Sequence, residues 1–237
     1  MAEEKEPKPD FSNSAYLFPR INREGLRFGV IAAALSVLLL AVLGFFGLRG
    51  LSVALVIPLA LAVYGVFLFF RDPDRWPPAD EKAMLSPADG RICLIEKRVL
   101  PDSLADGAER WRVSVFMSVF DVHVNRMPTA GKVVRREYVA GRFLNASLDK
   151  ASSANERCNY LVEAPGGQTY GVTQIAGLVA RRIVPMAGEG DVLGRAERFG
   201  LIRFGSRLDV YLPVGVEPEV RVGQTMVAGE SVIAHLP

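Results

Sequence analysis

The segment Gly200–Pro213, GLIRFGSRLDVYLP, sets a hydroxyl nucleophile, Ser206, directly after the carbonyl of Gly205. A Gly-Ser pair alone marks a turn. Here it interrupts a stretch of alternating apolar residues, where a turn belongs at the edge. Gly205 has no Cβ and tolerates a strained backbone. A serine nucleophile needs a base, and the chain has 2 histidines. His123, in FDVHVNRMP, carries an imidazole that takes or gives a proton near neutral pH. Outside a motif it would be a half-buried histidine at a strand end. His235 matches no catalytic motif. Asp89, in SPADG, would in isolation be a turn aspartate, since Asp-Gly favours turns. Arg126 is no base at neutral pH but pairs with phosphate or carboxylate. Lys150 and the Arg181–Arg182 pair are further cations. Adjacent strand residues face opposite sides, so at most one of that pair points inward. Arg126, Lys150 and Arg182 are the candidate substrate-binding residues, and Phe143 and Phe204 are candidates for an apolar mouth. No G-x-S-x-G elbow, P-loop or G-x-G-x-x-G is present.

These groups must be positioned by a chain of 237 residues whose apolar content is unevenly spread. Phe28–Gly47 and Leu51–Phe70 are uncharged runs, each long enough to cross a hydrocarbon core of roughly 30 Å as a helix. The first begins late, lacks a small-residue cleavage pattern and is followed by another span, which argues against a cleaved signal peptide. Arg20, Arg23 and Arg27 precede the pair and Arg71, Arg75 and Lys82 follow it, with Arg49 alone in the connecting turn. The positive-inside tendency therefore places both ends in the cytoplasm. Pro58 is a candidate kink, and a re-entrant hairpin is the alternative to full crossing. The expected layout is a polar tail over 1–27, a two-helix membrane hairpin over 28–70 and a catalytic domain over 71–237.

Downstream, short strands are punctuated by glycine and proline. Trp111 to Val119 and Leu208 to Leu212 alternate with period two, and Val220–Val222 and Val232–Ala234 are further expected strands. The fold class is a mostly β domain of barrel or sandwich type behind an α-helical membrane hairpin. Arg142–Arg157, polar and rich in small residues, reads as a functional loop with a short helix. The segment VRVGQTMVAGE has the spacing of a lipoyl- or biotinyl-carrier hairpin without the lysine such carriers modify, which disfavours a swinging-arm role. A net charge of +2 is too small to suggest nucleic acid, and 2 cysteines without CxxC spacing suggest neither a disulfide framework nor a zinc site.

Taken together, FFRDPDRWPP, LSPADG, FDVHVNRMP, GRFLNASLDKASSANER, QIAGLVARRIV and the Gly205-Ser206 segment resemble, in order and spacing, the phosphatidylserine decarboxylases of short bacterial membrane-hairpin form. The resemblance covers nearly the whole chain. It implies that Ser206 Oγ attacks the Gly205 carbonyl, converting the peptide to an ester. Elimination then releases the upstream chain as a carboxylate, and hydrolysis of the dehydroalanine leaves a pyruvoyl group at residue 206. It further implies a Schiff base between that ketone and the serine amine of phosphatidylserine, which yields phosphatidylethanolamine for phospholipid biosynthesis. Neither a metal nor pyridoxal phosphate is required. Asp89 matches the acid that orients the histidine. Longer members carry H-x-x-H-M-P, whereas this chain has His123 at the first position and Arg126 at the second. The relay is therefore either Asp89–His123–Ser206, with one histidine doing two jobs, or a different arrangement.

The implied partners are phosphatidylserine in the membrane and the chain's own large and small cleavage products as a heterodimer, with a higher homo-oligomer left open. The implied location is the cell membrane, with the catalytic domain on the cytoplasmic face. Three other functions compete. A decarboxylase of another seryl phospholipid, such as an archaeal ether lipid, would share the headgroup chemistry. A non-catalytic membrane adaptor on a lipoyl-like barrel leaves Gly205-Ser206 beside the His123 motif unexplained. A serine hydrolase lacks its elbow.

Overall fold

A computed structural model describes residues 20–141, 155–177, 182–203 and 206–237. The chain divides after Asp74 into two compact units.

The first unit is a helical hairpin. Helix α1 spans Arg23–Phe45 and α2 spans Arg49–Phe69. At 1.5 Å per residue, their 23 and 21 residues extend about 34 and 31 Å, enough to cross a bilayer core. Helix α1 starts a turn earlier than its apolar run because Asn22 caps it, its Oδ1 accepting from the Glu24 amide at 3.0 Å. Arg23 and Arg27 thus lie within the helix. Helix α2 continues through Pro58. Small residues let the two helices approach: a Cβ on Gly29 would stand 2.3 Å from the Phe67 ring. Two short strands, β1 (Arg20–Ile21) and β2 (Arg71–Asp72), pair antiparallel at the base. Only 6% and 0% of the most apolar windows of the two helices are buried. Water penalises such surface and lipid does not, so the hairpin is membrane-associated.

The second unit is mostly β. Its strands are β3 (Ala83–Leu85), β4 (Gly90–Val99), β5 (Glu109–Met117), β6 (Val124–Arg126), β7 (Gly131–Val139), β8 (Arg157–Glu163), β9 (Thr169–Ala176), β10 (Arg182–Pro185), β11 (Val192–Leu193), β12 (Arg198–Arg203), β13 (Ser206–Tyr211), β14 (Thr225–Met226) and β15 (Val232–His235). The largest sheet has the order β11-β7-β8-β9-β13-β5-β4-β14; β10-β12-β6 and β15-β3 form smaller ones. The alternation read from sequence sets the core face. Val113, Val115 and Met117 of β5 stand level with Val210, Leu208 and Ser206 of β13, and these with Val172, Gln174 and Ala176 of β9. The apolar members of this set are fully buried, the valines, Leu208 and Met117 each contributing about 1.5–3 kcal/mol. Gly90 opens β4 at φ 141°, and a Cβ there would lie 2.1 Å from the Phe116 carbonyl oxygen, so only glycine fits.

One expectation needs correcting. Val220–Val222 is not a strand: Arg221 and Gln224 close a turn through their backbones (3.1 Å) around Gly223 at φ 90°. The strand falls instead at Thr225–Met226, paired with β4, while β15 pairs with β3. Most of the loop expected over Arg142–Arg157 lies outside the described residues, and β8 begins at Arg157.

Candidate active site

Ser206 is the first residue of β13, the strand flanked in the large sheet by β5 and β9. It stands opposite Met117 on one side and Ala176 on the other, with no exposed surface. Its Oγ lies 3.9 Å from Met117 Sδ, and Asn125 Nδ2 approaches the same sulfur at 3.7 Å. Gln174, fully buried, donates from Nε2 to Asn125 Oδ1 at 2.8 Å. Its side chain lies across Gly200, where a Cβ would meet Nε2 at 2.5 Å. The other amide atom, Gln174 Oε1, is buried without a partner among the described residues. A buried acceptor left unmade costs about 1–3 kcal/mol, and such groups call for an explanation in a native fold. Met117, Asn125, Gln174 and Ser206 thus form one buried polar pocket between the large sheet and β10-β12-β6.

His123 immediately precedes β6, and its carbonyl accepts from the Ile202 amide at 3.3 Å, continuing the β6–β12 ladder. Strand alternation puts His123 on the same face as Asn125, toward the Ser206 pocket, and Val124 and Arg126 on the other. The imidazole is fully buried, with Nδ1 2.9 Å from the Asp121 carbonyl oxygen. A nitrogen facing a carbonyl carries the hydrogen, which leaves Nε2 as the basic atom.

Asp89 is placed differently from its expected role. Its carboxylate accepts from Arg75 at 2.8 and 2.9 Å and from the Ala228 amide at 2.8 Å. The contact that orients His123 Nδ1 comes from the Asp121 backbone instead. Arg126 donates to the Ala196 carbonyl at 3.1 Å, and its Cδ would lie 3.2 Å from a Cβ on Gly229. Asp89, Arg75 and Arg126 therefore gather at the Ala228–Gly229 turn, apart from the face of β6 that carries His123 and Asn125. The reason is local: three residues after His123 along a strand is an odd step, so Arg126 cannot share its face.

Arg182 is exposed at the start of β10, directly opposite Arg203 of β12. Nearby, partial burial raises the Tyr138 phenol to about 12, with Glu156 adding to the rise and Arg182 opposing it. Gly205, Phe204, Phe143, Lys150 and Arg181 lie outside the described residues. Among the described residues no cluster of three or more His, Cys, Asp or Glu is arranged to hold a metal. His235 lies between Glu219 at 2.6 Å and Asp80 at 3.3 Å.

The reverse face of β13 is pinned by charge. Arg207 donates from Nε to Asp209 Oδ1 at 2.8 Å and from Nη2 to Oδ2 at 3.0 Å; Arg112 reaches Asp209 at 3.4 Å and Glu96 at 2.8 Å. Arg207, Asp209 and Arg112 are all buried. Breaking a buried pair is far costlier than keeping it. The Arg112–Asp209 contact thus ties β13 to β5, while Arg207 and Asp209 brace β13 on itself.

Asn125, Gln174 and Met117 were not singled out as site residues from sequence. The sequence signal available was the position of two side-chain amides among the β-branched residues of strand segments, VHVNR and VTQIA.

Fold and pocket together define a membrane-associated β-domain protein with a buried serine at the head of a central strand. The sequence model of phosphatidylserine decarboxylase matches residues 65–234. A phosphatidylserine decarboxylase proenzyme of Erythrobacter litoralis is 49% identical over 94% of this chain and 90% of its own length. The proenzyme of Ruegeria pomeroyi is 52% identical over 90% and 94%, and that of Gluconacetobacter diazotrophicus 60% identical over 71% and 75%. The chain belongs to the phosphatidylserine decarboxylase family.

Proposed function

We propose that this protein decarboxylates phosphatidylserine to phosphatidylethanolamine with a pyruvoyl group made from its own Ser206 when the chain cuts itself after Gly205. The observation that carries this reading is a buried serine at the first position of a doubly paired strand, in a chain whose relatives bear the name proenzyme. Intramolecular attack on a neighbouring carbonyl is strongly favoured once geometry holds the atoms together. Residue 206 is fixed by its backbone pairing and fully buried, so a ketone formed there is held and kept from bulk water. When formed, that ketone condenses with the amine of the seryl headgroup and withdraws the electron pair that CO2 leaves behind.

His123 Nε2 takes the Ser206 proton in processing and supplies a proton to the substrate carbon after CO2 leaves, one imidazole doing both jobs. The Asp121 carbonyl fixes its tautomer. Gln174 Oε1 accepts a hydrogen bond from the bound headgroup. Asp89 supports the site by tying Arg75 to the Ala228 turn. Arg182 and Lys150 attract the anionic lipid. Both helix ends lie in the cytoplasm, with the β domain on that face, and the two cleavage products remain together as a heterodimer.

Vesicles containing phosphatidylserine, incubated with purified protein, should release CO2 and accumulate phosphatidylethanolamine one for one. Hydroxylamine, which captures ketones, should stop both. Turnover unaffected by hydroxylamine would rule out the carbonyl cofactor, and turnover of seryl ether lipid alone would move the substrate to that class.

A further inference from the structure

We infer that the turn Ser118–Asp121 is a bilayer-insertion tip, Val119 and Phe120 entering an anionic phospholipid surface to seat the mouth of the Ser206 pocket at headgroup depth. The inference rests on the lipid-decarboxylase reading above and adds the surface through which the enzyme meets its substrate.

Phe120 is 79% exposed, more than any other large apolar side chain described in the β domain, and its neighbour Val119 is 45% exposed. Isolated exposed apolar residues are ordinary; two consecutive ones at the apex of a turn form a protruding patch. The turn is held in shape. The Asp121 amide donates to the Ser118 carbonyl at 3.1 Å, the Ser118 amide to Asp121 Oδ2 at 2.7 Å, and the Phe120 amide to Ser118 Oγ at 3.3 Å. The carboxylate of Asp121 is thereby folded into the turn, away from the apex that would meet anionic lipid.

The turn also connects the two halves of the pocket. Met117, just before it, stands opposite Ser206, and the Asp121 carbonyl just after its apex faces His123 Nδ1. Charge at this end of the β10-β12-β6 sheet agrees with an anionic partner. The β12–β6 register pairs Leu201 with Val124, which carries Arg203 to the level of Val122, and Arg182 lies opposite Arg203. Both side chains are cations, the charge that anionic headgroups attract. Glu156, which acts on Tyr138 together with Arg182, is buried and accepts from the Ile183 amide at 2.9 Å.

A bilayer is the occupant that fits an apolar apex flanked by arginine: aliphatic and aromatic groups enter the acyl boundary while cations stay with the headgroups. The membrane-associated hairpin keeps the chain at such a surface. A substrate anchored by its acyl chains reaches a buried residue at small cost only when the mouth is brought to the interface.

The test uses the full chain reconstituted in vesicles of phosphatidylcholine and phosphatidylserine. Phe120→Trp should add emission that is blue-shifted and quenched by lipids brominated near the headgroup end of the acyl chain, beyond the quenching of the unsubstituted protein. Val119→Ser with Phe120→Ser should leave self-cleavage and turnover of detergent-dispersed short-chain phosphatidylserine within about twofold, while bilayer turnover falls about tenfold. Three results would overturn the inference: added emission that is water-like and unquenched, an equal loss in both assays, or loss of a self-associated form with the double substitution, meaning that a second copy covers the tip. If the unsubstituted protein neither cuts itself nor turns over dispersed substrate, the failure lies in the decarboxylase reading instead.

Discussion

Ser206→Ala should yield a folded, uncut chain with no decarboxylase activity. The substitution removes both the attacking oxygen and the atoms from which the ketone is built, so turnover should fall to the uncatalysed background, a loss of at least about a million-fold. Folding should survive. The only contact described for Ser206 Oγ is a long one to the Met117 sulfur at 3.9 Å, and losing it costs under about 1 kcal/mol. The backbone pairing of residue 206 with Met117 and Ala176 does not depend on the side chain. Gel mobility reads the cleavage, CO2 release the activity, and a thermal melt the fold. A folded Ser206→Ala protein that still cuts or still releases CO2 would remove the serine from its role.

The second large effect separates His123 from its charged neighbours. His123→Ala should slow self-cleavage by about a hundred- to ten-thousand-fold, the usual loss on removing a general base, and abolish turnover of whatever is processed. Arg126→Ala should cut normally, because its guanidinium holds the Ala196 carbonyl on the opposite face of β6. Asp89→Asn should also cut once folded but lose about 3 kcal/mol of stability, since Arg75, its partner, has a side chain only 9% exposed. Time-resolved cleavage and urea melts on the three variants distinguish the roles. If Asp89→Asn folds as well as the unsubstituted protein yet fails to cut, Asp89 belongs to the relay after all. If His123→Ala cuts at the normal rate, another base starts the reaction.

The legible parts of this molecule were those with local signatures. The uncharged runs from Phe28 and from Leu51 needed nothing but length to be read as helices, and period-two alternation fixed β5 and β13. Ser206 stood out because Gly-Ser broke that alternation. The remainder depended on contacts between residues far apart. Asp89 was read as a histidine partner, yet Arg75, seen in sequence only as a flanking positive charge, lies 14 residues away and takes both its oxygens. Gln174 and Asn125 are 49 residues apart, and only the facing of β9 against β6 makes them a pair. Val220–Val222 had the composition of a strand, but Gly223 at positive φ and the Arg221–Gln224 turn outweighed it. The Asn22 cap likewise moved the start of α1 ahead of its apolar run.

The central claim is that the chain makes its catalytic group from itself, and the intact mass of the purified, active protein tests it most directly. The account predicts that the 25.9 kDa chain is replaced by two species, one ending at Gly205 and one running from residue 206 to Pro237. The smaller should be lighter than the hydrolysed peptide by the mass of ammonia and resistant to amine-labelling at its N-terminus. An active preparation containing only the uncut mass, or a small chain beginning with an ordinary serine, would contradict it.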